Sequence, residues 1–182
     1  MPKVIILNGP SSVGKSSTAR ALQDLASETF MHVSMDAFLD MLPGRLFGTD
    51  EGLRFETIQE DGHPSIVIHS GPAIERALRG MRRAVAALAA EGSNLIVDEV
   101  MWADEAQDYR VLLSGFDLRF VGLFAPLDLL EARERARGDR ELGLARWQHE
   151  RVHRTMVYDL EIDTTATSLE QNAERIRDAF GL

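Results

Sequence analysis

The chain contains no cysteine. That absence excludes disulfides, thiolate nucleophiles and cysteine-based zinc sites together. It fits a reducing compartment, and the cytoplasm is the expected location. Long apolar runs are missing too. VIIL near the start and VGLFA at 121–125 are strand-length, far short of the ~20 residues a membrane-spanning helix needs. A single lysine, Lys3, precedes the first apolar run and no small-residue cleavage site follows it, so neither a secretory signal nor a membrane partner is expected. Positive charge is scarce, with 20 Lys and Arg against 29 Asp and Glu and a net charge of −9. A phosphate backbone repels such a chain, so nucleic acid is not an expected partner, although a local basic cleft stays compatible with the total. Internal repeats and low-complexity tracts are absent as well.

What is present is a composition of 45% hydrophobic and 27% charged residues over 182 positions. That is enough to bury one full core, and residues 1–182 are expected to form a single domain. Short apolar runs alternate with longer amphipathic ones. VIILN (4–8), MHVSM (31–35), NLIVD (94–98), LRFVGLFA (118–125) and LEID (160–163) read as strands. Several are apolar on both parities, as in strands covered on both faces. Helices are predicted over 15–26, 72–91, 103–113, 126–137, 142–156 and 168–179. In the second of these, Ile74, Ala77, Leu78, Met81, Val85 and Leu88 form one stripe between Pro72 and Gly92. The alternation predicts an α/β domain with a mostly parallel sheet and right-handed crossovers. Residues 43–71 interrupt it with five glycines and two prolines. Within them LRFETI and SIVIHS are able to pair as a hairpin around EDGHP, and an insertion of about 30 residues in a compact fold is more often functional than idle.

The first strand runs into GPSSVGKS, where Gly9, Gly14, Lys15 and Ser16 match G-x-x-x-x-G-K-[ST]. In such a loop the backbone N–H groups curl around phosphates and the following helix points its positive end at them. Gly9, Pro10, Ser11, Ser12, Val13, Gly14, Lys15, Ser16 and Ser17 are therefore the expected nucleotide-binding residues. Lys15 would reach the β- and γ-phosphates, and the Ser16 hydroxyl would ligate Mg²⁺. A dinucleotide-binding turn would need G-x-G-x-x-G, and Ser11 occupies the position of its second glycine.

Two acidic positions follow strands. Asp36 comes just after MHVSM, at the start of a helical pattern. A carboxylate there is able to take the proton of an acceptor hydroxyl and aim it at the γ-phosphorus, or simply to cap the helix. Asp98 and Glu99 follow LIV, and Asp98 is favoured for the Mg²⁺ shell, bordering the acceptor, while Glu99 is free to point elsewhere. Arg133, Arg137 and Arg140 fall at i, i+4, i+7. One helical face would then carry three guanidiniums, either as a solvated face laced with Glu131–Arg135 pairs or as a closing segment over 133–141 that neutralises transition-state charge. His149 and His153 share helical spacing without an H-E-x-x-H pattern; a solvated or acid-paired helix face is expected for them, and no metal.

LNGPSSVGKS, VSMDAF, LIVDEV, ERARGDR and YDLEIDTT, in this order and spacing, resemble the chloramphenicol phosphotransferase family over nearly the whole chain. The resemblance implies a three-layer P-loop NTPase of the nucleotide-monophosphate-kinase-like kind, with a short central parallel sheet of about five strands and helices on both faces. It implies ATP-dependent phosphorylation of a primary hydroxyl on chloramphenicol or a similar antibiotic. Carried over by motif, Asp36 would be the catalytic base, Lys15 the phosphate clamp and Arg137 a closing-segment residue. Thr164 and Thr165 would lie near the adenine. Phe38, Leu42, Phe47, Phe55 and Trp102 would line an acceptor pocket or serve as ordinary core and lid packing.

The expected activity is therefore an ATP- and Mg²⁺-dependent kinase for a small-molecule hydroxyl. The alternatives are a metabolite kinase, a nucleic-acid-end kinase and a non-catalytic nucleotide-binding protein. A guanine-reading N-K-x-D is absent from the sequence, which argues against a GTPase switch. The oligomeric state stays open, a homo-oligomer included.

Overall fold

A computed structural model of the chain describes residues 1–138 and 142–182. Five parallel strands form the central sheet: β1 (Lys3–Asn8), β2 (Phe30–Ser34), β5 (Asn94–Glu99), β6 (Asp117–Phe124) and β7 (Leu160–Asp163), in the order β2-β5-β1-β6-β7. β1 lies between β5 and β6, with Leu7 opposite Asp98 on one side and Val121 on the other. Its two parities feed two cores. Val4 and Ile6 pack on α3 (Pro72–Ala90) and α4 (Ala103–Leu112) through Met81, Val85, Ala106 and Tyr109. Ile5 and Leu7 pack on α1 (Lys15–Leu25), α5 (Leu127–Arg137) and α7 (Leu169–Phe180) through Leu22, Leu130 and Ile176. Each such aliphatic side chain contributes about 1.5–3 kcal/mol on full burial. Continuous burial is why β1 reads as an unbroken apolar run.

The remaining strands, β3 (Leu53–Glu60) and β4 (His63–Ser70), form the expected antiparallel hairpin apart from the main sheet. Its loop is shorter than EDGHP suggests. Glu60 pairs with His63, leaving Asp61 and Gly62 as a two-residue turn. Both have positive φ, 53° and 77°, the geometry for which Asp-Gly is suited. Between β2 and the hairpin lies α2 (Met35–Asp40).

One helix departs from expectation. In place of a continuous helix over 142–156 the chain forms α6 (Leu144–Gln148) and a separate 3-10 turn at Arg151–His153. Contacts to Ser11, Ala125 and Glu60, all distant in sequence, hold the break. Gln148 Oε1 accepts from Ser11 N–H, His149 Nε2 contacts the Ala125 carbonyl at 3.1 Å, and Arg151 donates to Trp147 O and to Glu60. Local helical periodicity is outweighed by these partners, none of which is visible along the chain. No helix among the described residues is long and apolar enough to cross a membrane.

Candidate active site

The loop Gly9–Gly14 leaves the buried end of β1 and enters α1 at Lys15. Gly9 permits its close approach to β6: a Cβ there would stand 2.6 Å from the Leu123 carbonyl oxygen. Val13 is buried as an apolar plug beneath the loop, and Lys15 Nζ donates to the carbonyls of Gly9 (2.7 Å) and Pro10 (3.0 Å). The Ser12 hydroxyl is buried without a hydrogen-bond partner among the described residues. Such a group calls for an acceptor or donor from a ligand. Behind the loop, buried Asn8 bonds Met101 through both its backbone groups, as well as Val152 O and Tyr158 Oη.

A cavity of about 700 Å³ opens over this loop. Ser11, Ser12, Gly14, Lys15, Ser16 and Ser17 form its floor, and Asp36, Asp98, Arg133 and Arg137 face them from other elements. The parallel register explains the meeting of the two acids: Ser34, at the end of β2, lies opposite Asp98 on β5, and Asp36 follows two residues later. Burial raises the Asp98 carboxyl, but the hydrogen bond from His32 (2.6 Å), the charge of Lys15 and the Ser16 hydroxyl outweigh it. Its pKa falls below the ordinary range, so Asp98 is a carboxylate at neutral pH. Arg133 and Arg137 both line the cavity from α5, as their i, i+4 spacing requires. Glu131, on the same helix, pairs with Arg146 of α6 rather than with Arg135. Arg140 lies outside the described residues. Thr164 and Thr165 do not line this cavity. Thr164 holds Arg133 through its hydroxyl and carbonyl, and Thr165 turns back onto Asp163 through its N–H and hydroxyl.

Two more cavities adjoin the first. An outer one of about 920 Å³ runs between α2 and the hairpin, with Phe47, Phe55 and Arg137 in its wall. An inner one of about 210 Å³ lies between the hairpin, α3 and α6, walled by Phe55, Ile74, Leu78, Trp102 and Trp147. The two indole rings meet edge-on, centroids 5.8 Å apart. Asp36 lines all three cavities, and no other described residue does. Asp98 borders the phosphate cavity alone, not the apolar two.

Several expectations need correction. Phe38 lines none of these cavities; it packs against the core beneath α3 and α4, because its place on α2 turns it away from Asp36 by two residues. Leu42 lines none either. The direction of Glu99, open in the sequence, is toward the core, where Tyr109 Oη donates to it at 2.7 Å and Arg82 lies at 3.5 Å. Burial raises its pKa to about 7 against those two partners. His153 is not a solvated or acid-paired histidine: it stacks on Phe124 (3.9 Å), bonds Tyr158 Oη at 2.8 Å, and burial lowers its pKa to about 4. No group of three or more metal-ligating His, Cys, Asp or Glu occurs among the described residues.

Arg20, His32, Trp147 and Gln148 are among the lining residues that escaped sequence reading. Arg20 follows Ser16 by four positions on α1, and that spacing is legible. The other three depend on which elements become neighbours.

The family model described as chloramphenicol phosphotransferase-like protein matches residues 2–181. A Mycobacterium tuberculosis protein provisionally named an O-phosphotransferase is 34% identical over 184 aligned positions, covering 98% of this chain and 82% of that protein. Among solved structures, an unliganded sugar kinase from Janibacter sp. HTCC2649 superposes with a TM-score of 0.68 at 18% identity, covering 100% of this chain and 95% of that one. The Mycobacterium tuberculosis APS kinase in complex with AMPPNP and APS gives the same TM-score and identity, covering 100% and 98%. The fold is that of P-loop kinases, and the chain belongs to the chloramphenicol phosphotransferase-like family.

Proposed function

We propose that this chain is an ATP-dependent phosphotransferase acting on a hydroxyl of a small molecule, with chloramphenicol or a similar antibiotic as the leading acceptor and its 3-hydroxyl as the target. Residues 1–182 would act as one cytoplasmic kinase domain. The observation that carries this reading is the position of Asp36, where the phosphate cavity meets two cavities with apolar walls.

In this scheme the loop amides, the Ser12 hydroxyl and Lys15 hold the triphosphate, and Arg133 and Arg137 approach it from α5. Asp36 accepts the proton of the acceptor hydroxyl. The hydroxyl oxygen forms a bond to the γ-phosphorus as the bond to the β,γ-bridging oxygen breaks, and ADP leaves with that electron pair. The closing arginines exclude water, which would otherwise take the phosphoryl group. Ser16 and ionised Asp98 supply hard oxygen donors, a set that fits Mg²⁺. When bound with the nucleotide, the ion would neutralise charge on the β- and γ-oxygens.

The test is a phosphotransfer assay with ATP, Mg²⁺ and chloramphenicol, following the product by mass. A product heavier by one phosphoryl group is expected, and Asp36→Asn should lower kcat at least a hundredfold while nucleotide binding persists. Turnover of Asp36→Asn within about tenfold of the parent would remove Asp36 from the role of base. Nucleotide binding without transfer would discard the named acceptor.

A further inference from the structure

Among the polar groups of the inner cavity that the phosphoryl-transfer scheme does not use is a carboxamide. Gln148, on α6, is 3% exposed and lines the cavity beside Trp147. Its Oε1 accepts the Ser11 N–H at 2.6 Å. A backbone N–H is only a donor, so this bond assigns the carboxamide orientation and leaves the Nε2 donors on the other side. Those donors have no hydrogen-bond partner among the described residues. Nε2 is not sealed in the core, so an oxygen of a ligand entering the cavity is able to accept from it.

The charges around it narrow the ligand. No lysine or arginine lines the inner cavity; its charged residues are Asp36 and Glu105. Glu105 is already engaged, accepting the Trp102 N–H at 2.9 Å. An anionic group would enter an apolar space containing two acids and no cation, at a large desolvation cost. We propose that Gln148 is a specificity-determining residue whose Nε2 donates to a carbonyl or similar oxygen of a neutral aromatic alcohol. The ring of that alcohol would lie against Phe55, Trp102 and Trp147. This rests on reading the inner cavity as the acceptor site. It adds two things: the residue that recognises the acceptor's polar group, and the exclusion of anionic acceptors.

Trp102 and Trp147 are both of the chain's tryptophans, so intrinsic emission reports occupancy of this cavity without turnover. The full-length chain is titrated with three hydroxylated aromatic probes: methyl phenyllactate, phenyllactate and 3-phenylpropan-1-ol. They are neutral with a carbonyl, anionic, and neutral without a carbonyl. The ester should bind at least tenfold more tightly than the acid. Gln148→Leu should weaken the ester about tenfold while leaving 3-phenylpropan-1-ol within twofold. Gln148→Glu should weaken the ester at least as much, although it preserves the acceptor for Ser11 N–H. Equal loss for the ester and 3-phenylpropan-1-ol would assign Gln148 a packing role and overturn the proposal. So would equal binding of ester and acid, or no change in emission with any probe. Absence of phosphotransfer to chloramphenicol in the assay above is a separate failure, which leaves these binding outcomes readable.

Discussion

Arg133 forks onto a single residue, Thr164: Nη1 donates to the Thr164 hydroxyl at 3.1 Å and Nη2 to its carbonyl at 2.9 Å. The threonine follows β7, whereas the arginine is on α5 and lines the phosphate cavity. A guanidinium held at both nitrogens loses less freedom on meeting a phosphate, and its plane is set in advance. Thr164→Val keeps the carbonyl bond and removes the other. The KM for ATP should rise about three- to tenfold with kcat little changed, whereas Arg133→Ala should raise it further. Steady-state kinetics at saturating acceptor checks both, and an unchanged KM in Thr164→Val would mean that the hydroxyl does not orient the arginine.

Gly9 meets the backbone of β6, not a flexible side chain. A Cβ placed 2.6 Å from the Leu123 carbonyl oxygen must displace the phosphate loop or the strand. Gly9→Ala should therefore cost about 1–3 kcal/mol of stability. Calorimetric titration with AMPPNP should show nucleotide affinity lowered at least tenfold, and urea denaturation should show the lost stability.

Phe38 and Phe55 make a matched pair with opposite expected effects. Phe38 packs against the core, while Phe55 is 41% exposed and lines both apolar cavities. Phe38→Ala should lower stability by about 2 kcal/mol with acceptor KM within threefold. Phe55→Ala should raise acceptor KM at least fivefold and barely move the unfolding midpoint.

Glu99 sets a pH dependence. Its pKa is raised by burial to about 7 from an ordinary 4.5, against the Tyr109 hydrogen bond and the Arg82 charge. Between those values the folded state holds the proton that the unfolded state releases. The stabilisation is complete below about pH 4.5 and is lost as pH rises through about 7. Glu99→Gln removes this linkage, so the variant should gain stability relative to the parent as pH climbs from 4.5 to 7.5. Urea midpoints at pH 5 and pH 8 measure the difference; parallel shifts at both would mean that Glu99 stays ionised in the fold.

His153 contributes with the opposite sign. Burial lowers its pKa to about 4 from 6.5, so its neutral form stabilises the fold above about pH 6.5. That contribution is lost as pH falls toward 4. Imidazole resonances followed by NMR should show His153 neutral at pH 5.5.

The strands were legible because both parities of VIILN and NLIVD are apolar, and only a sheet covered on two faces buries both. The hairpin was legible as well, although its turn is the two residues Asp61 and Gly62 and not the whole of EDGHP. The break between α6 and the following 3-10 turn was not. Residues 142–156 have adequate helical periodicity, and what interrupts it are bonds to Ser11, Ala125 and Glu60, each distant in sequence. Phe38 and Phe55 show the same limit at a single position. Both are aromatic residues near Asp36, and composition does not say which way each ring turns.

The sequence by itself determined the phosphate loop, because glycines and Lys-Ser act through local backbone geometry and follow the strand that presents them. It also determined the strand-end acids, since parallel strands bring their C-terminal ends to one edge. The tertiary structure decided the acceptor side. There the walls come from the hairpin, α3, the start of α4 and α6, and the pairing of Gln148 with Ser11 spans 137 positions. Contacts of that separation follow from how helices and hairpin pack on the sheet, and no period or motif along the chain encodes them.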